Sequence, residues 1–414
     1  MKSDLDRLMQ ARGLQAFLVA GDESPNPIRN YMTNGAHITG GIILKKLGSD
    51  PVLVVGSMET EEAAKSGLTV HTYWDFGYAD LLEAAEGNRT KAQIGLWGNL
   101  LRTYGVPPGK IGIYGVGDLS VYLEFIKLVS QMYPDYEFVG ELGTTLFDEA
   151  FLTKDDAEIE RLKSVAARTS EVLRLTWEYI SAHRPENDDP HAAVVNDAGA
   201  PLTIGGVKRF VRRALLDREL EDTGMIFAQG RDAGYPHSRG EADEALRLGQ
   251  SIVFDLFPRE IGGGYFHDCT RTWSIGYATP EVQAAYDQVK RAFDIAVDEF
   301  EVGMPASAMQ EAVLRHFEGA GHATGRSQPG TMNGYVHSLG HGVGLNIHES
   351  PSLSHMSKDV LQHGNVISIE PGLYYPDQGF GVRIEDLCYI DSQGQLVSMT
   401  DFHQGLVLPL RGSL

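Results

Sequence analysis

Apolar residues recur with two different spacings in the first 150 residues of the chain. Within residues 2–13 they fall on one face of a helix, and the run AFLVA at 16–20 is typical of a buried strand. Further segments of both kinds follow, the strands at 41–46, 51–55 and 110–115 and the helices around 58–66, 78–104 and 119–132. This alternation predicts an α/β domain over residues 1–152.

The pattern changes near residue 153. Asp155 and Asp156 stand before a long helical stretch at 157–183, as acids that cap a helix do. Mixed segments follow, the helices at 204–220, 281–299 and 305–320 and the strands at 225–229, 251–257, 272–277, 335–340, 366–372 and 381–390. Because the late strands have hairpin-like spacing, the pattern predicts an α+β domain over residues 153–414.

The composition narrows the classes of partner. The 414 residues include 35 Lys and Arg against 56 Asp and Glu, a formal net charge of −21. This acidity disfavours nucleic acid and membrane surfaces as partners, because phosphate backbones and anionic lipids are repelled. Cys269 and Cys388 are too few for a disulfide framework, and no apolar run approaches the roughly 20 residues that span a bilayer. We therefore expect a soluble cytoplasmic protein.

Charged side chains inside strand-like sequence are the candidates for chemistry, since the chain has no G-x-S-x-G, H-E-x-x-H, phosphate-loop or C-x-x-C motif. Four acids and a histidine occupy such apolar segments, namely Asp255 in SIVFDLF, Asp268 in YFHDCTRTW, His341 in HSLGHGVG, Glu370 in VISIEPG and Glu385 in GVRIED. Buried together without cations, four carboxylates would repel one another severely. The set therefore predicts bound metal ions, in a hydrolytic site or in a purely structural one.

Strand periodicity groups further side chains with this set. His337 and His341 are four residues apart and would point to the same face of a strand, whereas His348 needs a bend or bulge to join them. Arg383 and Glu385 would likewise share a face, with a guanidinium beside a carboxylate. Taken singly, each of these residues could be a structural partner inside a core.

At these residues the chain resembles the pita-bread metallopeptidases, in the Xaa-Pro branch that contains proline dipeptidase (prolidase) and aminopeptidase P. The similar segments occur in order: NYMTNG (30–35), TKDDAEIERLKSVAART, PHSRG (236–240), YFHDCTRT, HSLGHGVGLNIHESP, ISIEPGLYYP and GVRIED. The resemblance implies an α/β N-terminal domain of the creatinase/prolidase type, followed by an α+β pita-bread catalytic domain.

The resemblance also implies the roles of the site residues. Asp268 and Glu385 would bridge two divalent metal ions, Asp255 would bind one of them, and His341 and Glu370 the other. Mn²⁺ or Co²⁺, with Zn²⁺ as a third candidate, suits a site with four carboxylates and one nitrogen. Glu370 would also transfer the proton of the attacking water. By the same resemblance, the remaining positions would face the substrate: His237 and His348 at its carbonyl, His337 and Arg383 at its carboxylate.

The implied activity is hydrolysis of the imide bond before proline in dipeptides by a homodimer, with the N-terminal domain limiting substrate length. Three alternatives stay open: an aminopeptidase P that acts on longer peptides, a metallohydrolase of non-peptide bonds, and a metal-free protein that only binds peptides. The chain departs from the family pattern at Phe257 and Pro258 after the first acid, in the long connection PREIGGGYFH, and at His267. These departures predict altered substrate preference with the ligands intact.

Overall fold

A computed structural model describes residues 4–21 and 25–411, so residues 2 and 3 of the first predicted helix lie outside the described residues. The described chain divides into two compact units. Unit 1 contains the described residues up to Phe151 together with Gly262–Gly264, and unit 2 contains Leu152–Ile261 and the described residues from Tyr265 onward. Among the described residues, no helix combines the length and apolar content needed to cross a membrane.

Unit 1 is built on one mixed sheet. Its strands are β1 (Leu14–Ala20), β2 (Ile42–Lys46), β3 (Val52–Val55), β4 (Thr69–Thr72), β5 (Gly109–Gly115) and β6 (Tyr136–Val139), in the spatial order β4-β3-β2-β1-β5-β6. The pairs β1/β2 and β2/β3 are antiparallel and the other neighbours are parallel. Helices and 3₁₀ turns connect them: α1 (Leu5–Arg12), α2 (Pro27–Met32), Ser57–Glu59, α3 (Thr60–Ala64), Tyr73–Phe76, α4 (Tyr78–Ala84), α5 (Arg89–Thr103), α6 (Leu119–Met132) and α7 (Leu146–Phe151).

Two helix boundaries in unit 1 follow from local chemistry. The helix α6 begins after Asp118, whose side chain accepts a hydrogen bond from the Val121 amide, and it covers the predicted residues 119–132. The single helix predicted over 78–104 is wrong, because Glu86 and Gly87 adopt positive φ values of 51° and 79° and separate α4 from α5.

Unit 2 combines four long helices with short strands. Its helices are α8 (Asp156–Ser181), α9 (Ile204–Leu216), α10 (Pro280–Asp298) and α11 (Ala306–Gly319), with 3₁₀ turns at Asp232–Gly234 and Pro376–Gln378. Its strands are β7 (Arg184–Pro185), β8 (Val194–Val195), β9 (Leu220–Glu221), β10 (Ile226–Gln229), β11 (Ser251–Leu256), β12 (Arg259–Glu260), β13 (Cys269–Ile275), β14 (Gly340–Gly342), β15 (Glu349–Leu353), β16 (Val366–Ile369), β17 (Gly372–Tyr375), β18 (Phe380–Arg383), β19 (Asp386–Ile390), β20 (Leu396–Ser398) and β21 (Val407–Leu408).

The strands of unit 2 form two main sheets, in the orders β10-β11-β13-β21 and β15-β14-β16-β19-β20. The helices α10 and α11 pack their apolar faces in one core cluster with residues of these strands, among them Leu353, Ile367 and Cys388. The long helix α8 begins with a capping box, in which Asp155 and Glu158 each accept a hydrogen bond from the other's amide.

Three predicted segments of unit 2 need correction. Residues 335–340 are not a strand: β14 comprises only Gly340–Gly342, and the chain before it is irregular apart from isolated bridges. The segments predicted at 366–372 and 381–390 each divide into two strands that belong to different sheets. Apolar runs with internal bends cannot be separated from continuous strands by periodicity alone, which is the physical reason for the error.

Candidate metal centre

Antiparallel pairing brings the four predicted acids together in unit 2. In the β11/β13 pair Asp255 lies opposite Thr270, so Asp268, two residues earlier, is close to Asp255. In the β16/β19 pair Ile369 lies opposite Asp386, which brings the flanking residues Glu370 and Glu385 next to each other. A bridge between Thr270 and Glu385 connects the two pairs.

His341 on β14 completes the set. Its Nε2 atom lies 3.6 Å from Asp268 Oδ2 and 3.6 Å from Glu370 Oε1. One ligand atom each from Asp268, His341 and Glu385 falls within 4.8 Å of the other two. The structure thus brings the predicted imidazole into the acid cluster.

The carboxylates of the cluster interact strongly. Burial raises the pKa of Asp268 well above its ordinary value, and the charges of Glu385, Asp255 and Glu370 raise it further. Burial followed by the charge of Glu385 raises the pKa of Glu370, and burial with the charge of Asp255 raises that of Glu385 to about 8. Without a cation, Asp268, Glu370 and Glu385 therefore hold protons at pH values where isolated carboxyls are ionised.

The donor atoms of the cluster suit a divalent cation. Among the described residues, Asp255 Oδ1 and Asp268 Oδ1 are buried and have no hydrogen-bond partner. The Nδ1 of His341 donates to the carbonyl of Gly342 at 3.0 Å, and burial lowers the pKa of this imidazole to about 4. Its Nε2 lone pair is therefore free of a proton and faces the acids, as in a metal-binding histidine.

Arg383 uses four of its five N–H groups in hydrogen bonds, one of them to Asp255 of the cluster. Its Nη2 donates to Asp255 Oδ2 at 2.6 Å and its Nε to Thr270 Oγ1 at 3.1 Å. Its Nη1 donates to Tyr374 Oη at 2.9 Å and to the carbonyl of Pro236 at 3.2 Å. This buried guanidinium holds the Asp255 carboxylate so that Oδ2 is occupied and Oδ1 is left without a donor.

Three hydroxyl residues that the sequence analysis missed support these groups. Thr270 Oγ1 donates to Glu385 Oε2 at 2.8 Å, Ser368 Oγ accepts from the His341 amide at 3.2 Å, and Tyr374 Oη lies 2.8 Å from His337 Nε2. All three lie in segments that carry predicted site residues, YFHDCTRT for Thr270 and ISIEPGLYYP for Ser368 and Tyr374. Hydroxyl residues are common in strands, so only their position in these segments could have indicated them.

The other predicted histidines surround the cluster. His337 lies outside any strand, so the prediction that it shares a strand face with His341 is wrong. Its Nδ1 donates to the carbonyl of Ser338 at 2.7 Å, so its Nε2 accepts from the Tyr374 hydroxyl. His348 lies in the bend before β15, and its ring meets that of His341 edge-on at 4.3 Å between centroids. His237 is exposed in a turn. The pKa of His348 is lowered first by the burial of its own ring and second by the charge of His237.

His267, one of the departures from the family pattern, is buried beside Asp268. Its Nε2 lies 3.1 Å from Thr400 Oγ1, and burial followed by the charge of Arg271 lowers its pKa to about 3. The imidazole is therefore neutral and adds no charge to the acid cluster.

A family model described as metallopeptidase family M24 matches residues 162–392, which is more than half of the chain. The chain belongs to metallopeptidase family M24. The M24 match covers every predicted ligand, which confirms the resemblance found in the sequence.

Two relatives of this M24 protein are similar to it along different shares of the chain. It is 29% identical over 269 residues to a Mycobacterium tuberculosis protein described as "Probable dipeptidase PepE", a stretch that covers 65% of this chain and 64% of that relative, less than two thirds of its length. It is 27% identical over 395 residues to the Xaa-Pro dipeptidase of Lactobacillus delbrueckii subsp. lactis, covering 94% of this chain and 95% of the relative.

Solved structures share the fold. The X-Pro aminopeptidase from Thermotoga maritima has a TM-score of 0.75 at 20% identity and covers 98% of this chain and 100% of its own. The Xaa-Pro dipeptidase from Bacillus anthracis has a TM-score of 0.74 at 22% identity and covers 99% of both chains. The predicted fold class, an N-terminal α/β domain followed by a pita-bread domain, is confirmed.

Proposed function

We propose that this M24 protein is a metal-dependent Xaa-Pro dipeptidase, which hydrolyses the imide bond before proline in dipeptides. The observation that carries the proposal is the largely buried set of four carboxylates and one neutral imidazole, with two carboxylate oxygens that lack a partner among the described residues. The similarity to the Lactobacillus Xaa-Pro dipeptidase along 94% of the chain supports the substrate class.

The residues that would hold two divalent ions in each subunit are Asp255, Asp268, His341, Glu370 and Glu385. Their four carboxylates match the charge of two dications, and a set of oxygens with one nitrogen favours Mn²⁺ or Co²⁺, with Zn²⁺ as a third candidate. Ions bound there would polarise the substrate carbonyl and lower the pKa of a water toward neutrality.

Glu370 is the proposed proton carrier. It follows β16 directly and remains partly accessible, whereas Glu385 is fully buried. Its carboxylate takes a proton from the attacking water and returns one to the proline nitrogen as the bond breaks. That nitrogen carries no hydrogen in the substrate, so the leaving group depends on this delivered proton.

Cationic and imidazole side chains line the proposed substrate site. His237 and His348 donate to the carbonyl oxygen of the scissile bond, where negative charge develops during attack. Arg383 and His337 lie on the proposed carboxylate side of the dipeptide, and the guanidinium has one N–H group left for it. Through its bond to Asp255 Oδ2, Arg383 also orients one of the proposed metal ligands.

We further propose that the bound ion is Mn²⁺, that the protein forms a homodimer and that it acts in the cytoplasm. Unit 1 is the proposed limit on substrate length. Both cysteines are unpaired and buried, which supports a reducing compartment.

The direct test is release of proline from Xaa-Pro dipeptides by protein stripped with EDTA and then reloaded with Mn²⁺, Co²⁺ or Zn²⁺. Metal-dependent release is expected, with Xaa-Ala dipeptides as the control for selectivity at the second residue. Absence of release with every metal would contradict the proposal.

A second candidate, aminopeptidase P, is favoured by the similarity to the Thermotoga X-Pro aminopeptidase. It uses the same ligands, so only substrate length separates it from a dipeptidase. Rates on Xaa-Pro and Xaa-Pro-Xaa peptides are compared under the same conditions. A kcat/KM that is higher for the tripeptide would assign the protein to the aminopeptidase.

A further inference from the structure

We propose that Lys154 and Glu349 form a buried ion pair whose role is to position His348; the inference rests on the proposed function, in which His348 binds the substrate carbonyl. Lys154 Nζ lies 2.7 Å from Glu349 Oε2, and the two side chains are only 2% and 4% exposed. Neither residue belongs to the proposed ligand set. Glu349 is the direct chain neighbour of His348.

The Lys154 end of the pair is held by the chain around it. Lys154 lies just before α8, where Asp155 caps the helix. The Lys154 amide donates to the carbonyl of Gly364 at 2.8 Å. The ammonium therefore projects from a fixed backbone segment.

The Glu349 end closes the loop that carries His348. Residues 343–348 connect β14 to β15, and Glu349 lies opposite Gly342 across this hairpin. Glu349 Oε1 accepts from the Asn346 amide at 2.9 Å, and the Gly344 amide donates to the Asn346 carbonyl at 3.0 Å. One carboxylate thus fixes both the ammonium and the turn.

Gly344 leaves room for this carboxylate. A Cβ atom at position 344 would lie 2.3 Å from Glu349 Oε2, so the absence of a side chain is required for the observed contact. The Gly344 carbonyl also accepts from the Phe266 amide at 2.9 Å, which ties the loop to the segment that leads into Asp268.

The loop places the His348 ring beside His341 of the proposed metal centre. The His348 ring meets the His341 ring at 4.3 Å with an interplanar angle of 81°. His341 is a proposed ligand, so a small displacement of the loop moves an imidazole within the site. Misplacement of a reacting group by about 1 Å can lower a rate roughly a hundredfold.

The chemistry of the pair favours positioning over stability. A buried ion pair often contributes no more to stability than apolar residues of the same volume, because desolvation offsets the attraction. Its directional bonds nevertheless fix one geometry of the turn. We therefore expect the pair to affect turnover through His348.

The test is a double-mutant cycle between Lys154 and His348, with proline release as the assay. Lys154→Met is expected to lower kcat by about tenfold to a hundredfold and to change KM by less than about threefold. In the His348→Ala background the same substitution is expected to change kcat by less than about twofold, because the group that it positions is gone. An equal loss in both backgrounds, or no loss in the wild-type background, would overturn the proposal.

Matched variants keep the test valid if Lys154→Met folds poorly. Lys154→Met with Glu349→Gln removes both charges and is expected to show the same dependence on His348. Gly344→Ala displaces the carboxylate with both charges kept and is expected to lower kcat by a smaller factor. The control is Lys45→Met in unit 1, which removes another buried ammonium, paired with Asp6 at 2.5 Å, and is expected to leave kcat unchanged.

The position of the His348 ring can also be followed by its resonance, which does not depend on turnover. This measurement distinguishes failure of the positioning role from failure of the proposed function. In metal-free protein labelled at histidine, the His348 ring resonance is identified by its loss in His348→Ala. It is expected to shift in Lys154→Met and not in Lys45→Met. A wild-type protein without proline release would contradict the dipeptidase proposal, while an unshifted resonance would contradict the positioning role.

Discussion

Asp222 and Asp268 are aspartates of the same unit whose pKa values are shifted in opposite directions. Asp222 accepts hydrogen bonds from the amides of Gly224 and Met225, both at 3.0 Å, and from Arg212 Nε at 2.8 Å. Burial alone would raise its pKa, but these donors hold it below the ordinary value. For Asp268, burial and three neighbouring carboxylates raise the pKa, and Oδ1 lacks a partner among the described residues.

The difference shows that a buried carboxylate in this fold can be stabilised by the chain itself or can require a proton or a cation. Around Asp222 the chain itself supplies the donors, so the carboxylate is compensated in the folded protein. Around Asp268 the chain supplies further acids, and compensation has to come from protons or from cations. The following experiments test whether this difference corresponds to a metal centre.

Glu370→Gln gives the largest expected effect. The amide keeps the shape of the side chain but cannot carry a proton between water and the proline nitrogen, so kcat should fall by at least about a thousandfold. Proline release with Mn²⁺ measures the loss, and circular dichroism checks that the fold is kept. Asp222→Asn serves as the control for activity, and near-normal turnover by Glu370→Gln would refute the assigned role.

Asp268→Asn tests the repulsion within the cluster. In EDTA this variant should raise Tm by a few degrees, at about 2–4 °C per kcal/mol. The reason is that the folded wild type must hold a proton on Asp268 that the unfolded chain releases at neutral pH, whereas asparagine needs none. Mn²⁺ at about 100 times its Kd should stabilise the wild type by about 2.7 kcal/mol per bound ion and the variant by less. Thermal melts in EDTA and in Mn²⁺ provide the measurement. If Asp268→Asn instead lowers Tm in EDTA, as Asp222→Asn should, the two aspartates are equivalent and the comparison fails.

The stability of the metal-free protein should decrease as pH rises. The pKa of Glu385 is raised to about 8 in the folded state, so the folded protein holds a proton there that the unfolded chain releases near its ordinary pKa. This stabilisation is complete below the unfolded pKa and is lost as pH rises through about 8. The Tm measured in EDTA should therefore fall more steeply between pH 5 and pH 9 for the wild type than for Glu385→Gln. Parallel curves would mean that Glu385 titrates normally.

Asp222→Asn gives the smallest effect. At neutral pH the lost charge-assisted bonds should reduce the free energy of unfolding by about 1 kcal/mol. Because the folded pKa of Asp222 is depressed, its contribution is present above the unfolded pKa and disappears as pH falls through the folded value. Urea unfolding at pH 7 and pH 3 measures the difference from wild type, which should narrow at pH 3. A gap that stays constant would show that the carboxylate charge contributes nothing.

Much of the fold follows from local pattern. The helices α6 and α8 begin close to the predicted residues because a capping aspartate precedes each apolar repeat. The bends inside the segments 335–340, 366–372 and 381–390 were not predicted, because apolar side chains continue through each bend. The roles of the two domains and of the individual site residues remain predictions.

The apolar context of Asp255, Asp268, Glu370 and Glu385 is a property of the amino-acid order, and it suffices to predict that acids are buried and need compensation. Which oxygen has a donor and which lacks one depends on sheet register. Arg383 reaches Asp255 across 128 positions of the chain, and Thr270 reaches Glu385 across 115. Pairings over such separations form only when the strands align, because no local spacing encodes the distance between two side chains on different strands.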